Sequence, residues 1–259
     1  MSLPPESGAV VPGDSAGQPW AGRSFEANSA AGDDGSADPG LLAALTAFAA
    51  GTGGPVAVVD AFRSARLLIP LLAHAGDVGV APSGHLVDKT QELSIVTLAG
   101  PDGRKVLPAF TSVETLSAWN PRARPVPAAG PRVALAAASE ETQLVVIDPG
   151  SATEFALRRP AVFAVGTDAP WHPPYEDPAV RAAFDASIAD EPDVRHLSLA
   201  AGDPRQRLQA EELVVRLRLR PGLDELTLQR TVARIAERWA ASPQIAGGVD
   251  SMALQLVRD

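Results

Sequence analysis

Cysteine is missing from all 259 residues. That excludes a disulfide framework, a thiolate metal site, a cysteine nucleophile and a persulfide carrier. Lysine is almost missing, with two residues against 20 arginines, a bias that together with abundant Ala and Pro reflects a GC-rich genome and carries no chemistry. Long apolar runs are missing as well: nothing approaches the ~18 continuous apolar residues of a membrane span. Met1 to Val11 places no cation ahead of an apolar run, as a secretory leader would, so a cytoplasmic location is expected.

What remains is ordinary for a globular chain, with 46% hydrophobic and 20% charged residues. The formal charge of −9 is uneven. Residues 1–38 hold Arg23 against Glu6, Asp14, Glu26, Asp33, Asp34 and Asp38. Such an arm repels nucleic acid and anionic lipid at long range. Residues 1–37 are rich in Gly, Pro, Ser and Ala, with Leu3, Trp20 and Phe25 as the large apolar groups, too few to offset the entropy of ordering. They are expected to form an unstructured acidic arm.

Order begins at Asp38-Pro39, a cap followed by proline in the first helical turn, leading into Leu41, Leu42, Leu45 and Phe48, with Gly51 as the stop. A second short helix with Val56, Val59 and Phe62 precedes the apolar run Arg66 to Ala73, expected as a buried strand. A loop from His74 to Leu86 follows. Leu93–Ala99 and Arg104–Phe110 flank Pro101-Asp102-Gly103, the chemistry of a hairpin. Thr111 and Glu114 have capping-box spacing, so a helix is expected from Thr111 with Val113, Leu116 and Trp119 buried. A helix over Pro131–Glu140 and a strand over Gln143–Ile147, closing at Asp148-Pro149-Gly150, come next. Phe155, Leu157, Val162, Phe163 and Val165 are expected to complete the core of a first domain, 38–167.

Residues 168–178 carry four prolines and are the expected linker. In the second domain, 179–259, Asp177-Pro178 repeats the cap-plus-proline start, with Val180, Phe184 and Ile188 on one face. Val194–Leu199 reads as a strand. Leu213, Val215, Leu217 and Leu219 alternate with Val214, Arg216, Arg218 and Arg220, the pattern of a half-exposed strand. A helix over Leu226–Trp239 and a strand over Val249–Val257 complete an α+β fold of two small domains, each a mixed or antiparallel sheet covered by helices.

The run Leu67–Pro70 (LLIP), then PAFTSVETLSAW at 108–119, then LVVIDPGS at 144–151 with Phe155 and Leu157, resembles the SseB family, named for enhanced serine sensitivity. The likeness spans about residues 38–166 as that family's N-terminal domain and 176–257 as its C-terminal one. Trp20-Ala-Gly-Arg23 and the segment Gly32 to Asp38 resemble the arm of actinobacterial members. The family's frequent Asn-Pro-Gly is Asp148-Pro149-Gly150 here, which keeps the turn. The resemblance implies a fold and no established activity, cofactor or catalytic residue.

No catalytic, cofactor or metal residue is assigned from the sequence. His74 with Asp77 and His85 with Asp88 share a His-x-x-Asp spacing, but soft ligands are missing and loops commonly carry such residues. Ser151 lacks a G-x-S-x-G elbow and a neighbouring histidine, and reads as a turn residue. Gly51-Thr-Gly-Gly lacks the Lys-Ser/Thr of a phosphate loop. Arg216, Arg218 and Arg220 share a strand face, and Arg230, Arg234 and Arg238 share a helix face. Together they are a candidate basic patch, weighed against two solvated faces. Residues 171–259 hold 11 basic against 14 acidic groups, so RNA is not the expected ligand. Trp20, Arg23 and Phe25 are the candidate protein-binding residues, since Trp and Arg are favoured anchors in an otherwise polar arm. The expectation is a non-enzymatic binding or regulatory protein with a protein partner. A hydrolase or transferase with a site assembled from distant residues, and an RNA-associated protein, are the alternatives.

Overall fold

Asp38 opens the first helix as the sequence requires: its carboxylate accepts the Leu41 N–H at 2.9 Å while Pro39 fills the first turn. The computed structural model describes residues 33–257 except 75–77, 81–85 and 89–91, and describes no side chain from 73 to 93. Gly35–Asp259 forms one compact unit.

The first lobe begins with helices α1 (Pro39–Ala49) and α2 (Pro55–Ser64) and the strand β1 (Arg66–His74). The expected loop after β1 contains two short strands, β2 (Val78–Val80) and β3 (Leu86–Asp88), paired antiparallel. Then come β4 (Glu92–Ile95), β5 (Leu98–Ala99), β6 (Lys105–Ala109), α3 (Val113–Trp119), β7 (Arg124–Ala129), α4 (Gly130–Ser139), β8 (Val145–Ile147), β9 (Phe155–Leu157) and α5 (Arg159–Gly166). The second lobe holds α6 (Pro178–Ile188), β10 (Val194–Ala201), β11 (Leu213–Leu219), α7 (Glu225–Ala241), α8 (Pro243–Gly248) and β12 (Met252–Val257). No helix among the described residues is long and apolar enough to cross a membrane.

Besides the β2-β3 pair, two larger sheets form the first lobe. One has the order β4-β1-β7, both pairs antiparallel, and the other β5-β6-β8-β9, with β6 and β8 parallel. An antiparallel bridge between Leu68 and Phe110 joins them. The expected hairpin is therefore split. Leu98–Ala99 pairs with β6 across the Pro101-Asp102-Gly103 turn, whereas Glu92–Ile95 turns aside to pair with β1. Helices α1, α2, α4 and α5 close over the main core, which includes Leu41, Leu45, Phe62, Leu67, Leu107, Ile147, Phe155 and Val165.

The capping box sits one residue later than expected. Ser112 is the cap of α3 and exchanges bonds with Thr115, because Thr111 is engaged elsewhere: its N–H and hydroxyl both donate to Asp148 at 2.8 Å. Only Leu116 of the expected stripe is fully buried; Trp119 packs partly against Phe110, and Val113 is 39% exposed.

In the second lobe β10-β11-β12 form a sheet in which β11 is antiparallel to β10 and parallel to β12. Leu213, Val215 and Leu217 face Phe184, Ile235, Trp239 and Ile245 in a second core. The return to a parallel β12 needs a crossover, and α7 with α8 supplies it. The strand expected from Val249 starts at Met252, because Ser242 caps the extra helix α8 ahead of it. Segment 168–178 is anchored at both ends: Trp171 belongs to the first core and Tyr175 packs against the second.

Candidate functional site

Helix α5 positions the most unusual surface of the molecule. Pro160 fits its first turn, and Ala161, Val162, Ala164 and Val165 bury on the first core. Phe163, expected in that core, points the other way and is 70% exposed. At helical spacing, one residue between buried positions 162 and 164 must lie on the outer face once 161, 162, 164 and 165 claim the inner one. Helix α4 does the same: Val133, Ala134 and Ala137 are buried while Leu135 is 59% exposed. Gly130 starts α4 against α2, where a Cβ would fall 2.0 Å from the Phe62 carbonyl, so no other residue fits.

Between these helices and α8 lies a groove of about 1020 Å³. Its floor is made of small residues, including Ala134, Ala138 and Gly166, and its walls of Leu135, Phe163 and Pro243. Arg159 fixes α8 in place by donating to the carbonyls of Ala246 at 2.7 Å and Val249 at 2.5 Å. The second ionisable lining residue, Glu141, follows Glu140 at the C-terminal end of α4, and neither makes an ion pair among the described residues. Two carboxylates beside the negative end of a helix dipole leave a local negative potential unanswered.

One residue before α5, Arg158 turns into the seam between the lobes and is 2% exposed. It donates to Asp203 and to the Ala210 carbonyl, both at 2.7 Å, and to Asp250 and the Ser251 hydroxyl at 3.3 and 3.2 Å. Asp250 also takes a two-point contact from Arg104, at 3.0 and 2.8 Å. Burial disfavours the Asp250 carboxylate, but Arg104 and Arg158 outweigh burial and hold its pKa below the ordinary value. Glu212 has no such partner. Its Oε2 accepts the Asp250 N–H, its Oε1 lacks a partner, and burial pushes its pKa up to about 7. Leu208, from the loop ahead of Glu212, plugs beneath the first lobe among Val106, Leu144, Val146 and Ala156. With Glu212 enclosed at 2% exposure, this network joins the lobes and offers a substrate no approach.

The candidate basic residues fall in two places. Arg216 and Arg218 lie on the sheet face opposite the second core, where Arg216 donates to Gln255. Arg234 and Arg238 lie on α7 and pair with buried Glu191 at 2.8 and 3.1 Å, Arg234 holding that carboxyl below its usual range. Arg220 pairs with Asp193 at 2.9 Å. Since Ile235 and Trp239 of α7 pack on the core face, the structure sets the Arg234 row and the Arg216 row on opposite sides of the sheet. Arg230 stays on α7. Trp20, Arg23 and Phe25 lie outside the described residues, as do the Asp77 and His85 positions of the His-x-x-Asp pairs; among the described residues no cluster suited to a metal occurs. Ser151 accepts the Thr153 N–H in the turn that Asp148 braces, with no histidine beside it.

The groove was illegible in the sequence because Phe163, one of its walls, read as a core residue. The only signal was surplus: α4 and α5 carry more apolar positions than one buried face can take.

The fold and its surfaces define an α+β chain with an open apolar groove, on which the described residues bring no catalytic groups together. Residues 41–164 match the family model described as the SseB protein N-terminal domain, from Leu41 of α1 to Ala164 of α5. Over these residues the chain is similar to the SseB N-terminal domain, which its LLIP, PAFTSVETLSAW and LVVIDPGS segments resemble. No curated protein and no solved structure matches it.

Proposed function

We propose that this chain is a non-enzymatic binding or regulatory protein of the cytoplasm that seats an amphipathic, cationic helix of a partner protein in the α4–α5–α8 groove. One observation carries the reading: Phe163 and Leu135 stand exposed on either side of a cavity large enough for several side chains. Helix-in-groove recognition needs apolar anchors at i, i+3 and i+4, and the small-residue floor lets such a helix approach closely. The uncompensated Glu140 and Glu141 favour lysine or arginine beside those anchors. A hydrolase or transferase would need polar groups converging on the cavity, and its charged lining is Arg159, committed to α8, and Glu141. We propose in addition that 38–167 and 179–259 are the N- and C-terminal domains of an actinobacterial-type SseB protein, joined through 168–178. The support is the order from Pro178 onward, α-β-β-α-β with the short α8 added before the last strand.

The test places a photo-reactive benzoyl-phenylalanine at Phe163 and identifies adducts formed in native cytosol by mass spectrometry. Adducts should map to one apolar segment bordered by Lys or Arg, disappear with Leu135→Asp, and be absent when the probe stands at exposed Leu226. Identical adducts from the Leu226 probe, or adducts that survive Leu135→Asp, overturn the proposal.

A further inference from the structure

The second sheet has two outer strands, and they are not alike. β10 is interrupted by a register shift between Val194 and His196 and shows an exposed Arg195 there. A bulge and a charge are devices that keep an edge from pairing with another chain. β12 has neither. Its six residues, Met-Ala-Leu-Gln-Leu-Val, carry no charge and no proline, and it runs beside β11 in unbroken register from Leu213↔Met252 to Arg218↔Val257. Leu256 is 45% exposed on it, whereas Met252 and Leu254 on the same face pack partly against the second core.

The backbone direction of β12 follows from its first ladder bond, in which the Leu213 N–H donates to the Ser251 carbonyl. In a parallel ladder alternate residues face the neighbour, so Ala253, Gln255 and Val257 continue that bonding. The N–H and C=O groups of Met252, Leu254 and Leu256 then point away from β11, into the open edge.

From this we propose that two copies of the chain pair through β12, antiparallel about a twofold axis at Leu254, so that two three-stranded sheets become one. An axis there sets Leu254 against Leu254 of the second copy, and Met252 against Leu256. Each of these pairs exchanges two backbone hydrogen bonds, as the bonded pairs of an antiparallel ladder do. The same register keeps Met252, Leu254 and Leu256 on the core-facing side of both copies, which covers the exposed Leu256 with Met252. A shift of the axis by one residue turns the outward groups out of register, and a shift by two shortens the overlap. Self-pairing fits better than a charged foreign strand because the edge offers no side-chain charge to select one. An isologous contact of this kind closes on itself and does not propagate. It is independent of the groove on α4 and α5.

Sedimentation velocity of the full chain over a hundredfold concentration range should show a two-chain species that Leu256→Lys converts to one chain, with unchanged far-ultraviolet circular dichroism. Phe163→Asp, on the groove, should leave the two-chain species in place. The chain has no cysteine, so Gln255→Cys provides a lone thiol, and a short bis-maleimide should link two copies at least tenfold more than Arg195→Cys on the other edge. A single-chain species throughout, pairing that survives Leu256→Lys, or equal linking at both edges would overturn the proposal.

Discussion

Arg158 and Phe163 stand five positions apart at the start and middle of one helix, and each has the environment expected of the other. The arginine is 2% exposed and the phenylalanine 70%. Residue type did not assign these places; partners did. Arg158 finds Asp203, Asp250, Ser251 and a carbonyl waiting in the second lobe, so its charge is answered on leaving water. Phe163 finds no element of the described chain above it. A buried charge whose two terminal guanidinium nitrogens are both bonded and an exposed ring without any such partner mark two kinds of contact, one already made within the chain and one still open.

The comparison breaks most visibly at Arg158. Arg158→Met should cost about 3–5 kcal/mol, because Asp203 and Asp250 stay buried with one cation fewer. Urea unfolding at neutral pH should register it as a large fall in midpoint, and a loss under about 1 kcal/mol would mean that water reaches the seam.

Glu212 sharpens the same side. Its pKa is raised by burial to about 7 from an ordinary 4.5, so the folded chain keeps a proton that the unfolded chain has released. Stability should therefore be unaffected below the ordinary value, fall as pH rises through the interval, and level off above about 7. The whole fall is on the order of 3 kcal/mol. Glu212→Gln should remove this part of the pH slope and exceed the unaltered chain in stability at pH above 7 while gaining nothing below 4.5. Parallel urea midpoints for both proteins across that range would reject the account.

On the groove side the expected effects on stability are small. Glu141→Lys should stabilise by about 0.3–1 kcal/mol by answering the α4 dipole, and should weaken partner binding at the same time. Phe163→Ser should change stability by no more than about 0.5 kcal/mol, as at any exposed site, whereas neighbouring Val162→Ala should cost more through lost burial. Calorimetry of the pair separates an open surface from a hidden core.

Much of the frame was legible. Asp38-Pro39 and Asp177-Pro178 cap helices where they stand, since each carboxylate reaches an N–H two or three residues on. The alternation of Leu213 to Leu219 placed β11 and its two faces, because a period of two has only one way to bury leucine and expose arginine. Other elements gave no local sign. β7 carries Pro125 and Pro127, a residue type that interrupts central strands, and is tolerated because an outer strand has a free side for residues lacking an N–H. The short helix α8 stands in the gap between the expected helix ending at Trp239 and the expected strand from Val249, its Gly247 and Gly248 arguing against any helix. Ser112 took the cap from Thr111 because Asp148, 37 residues on, claimed both donors of the threonine.

The sequence by itself settled what short-range chemistry can settle: where helices start, which faces alternate, the absence of thiol chemistry, and a likeness to the SseB N-terminal domain over residues 41–164. Tertiary structure alone decided which apolar residues stayed in water and which charges left it. A helix that carries apolar side chains on two faces can bury only one of them against its own core. A cation can enter that core only where carboxylates from distant segments arrive with it, as Asp203 and Asp250 do at Arg158.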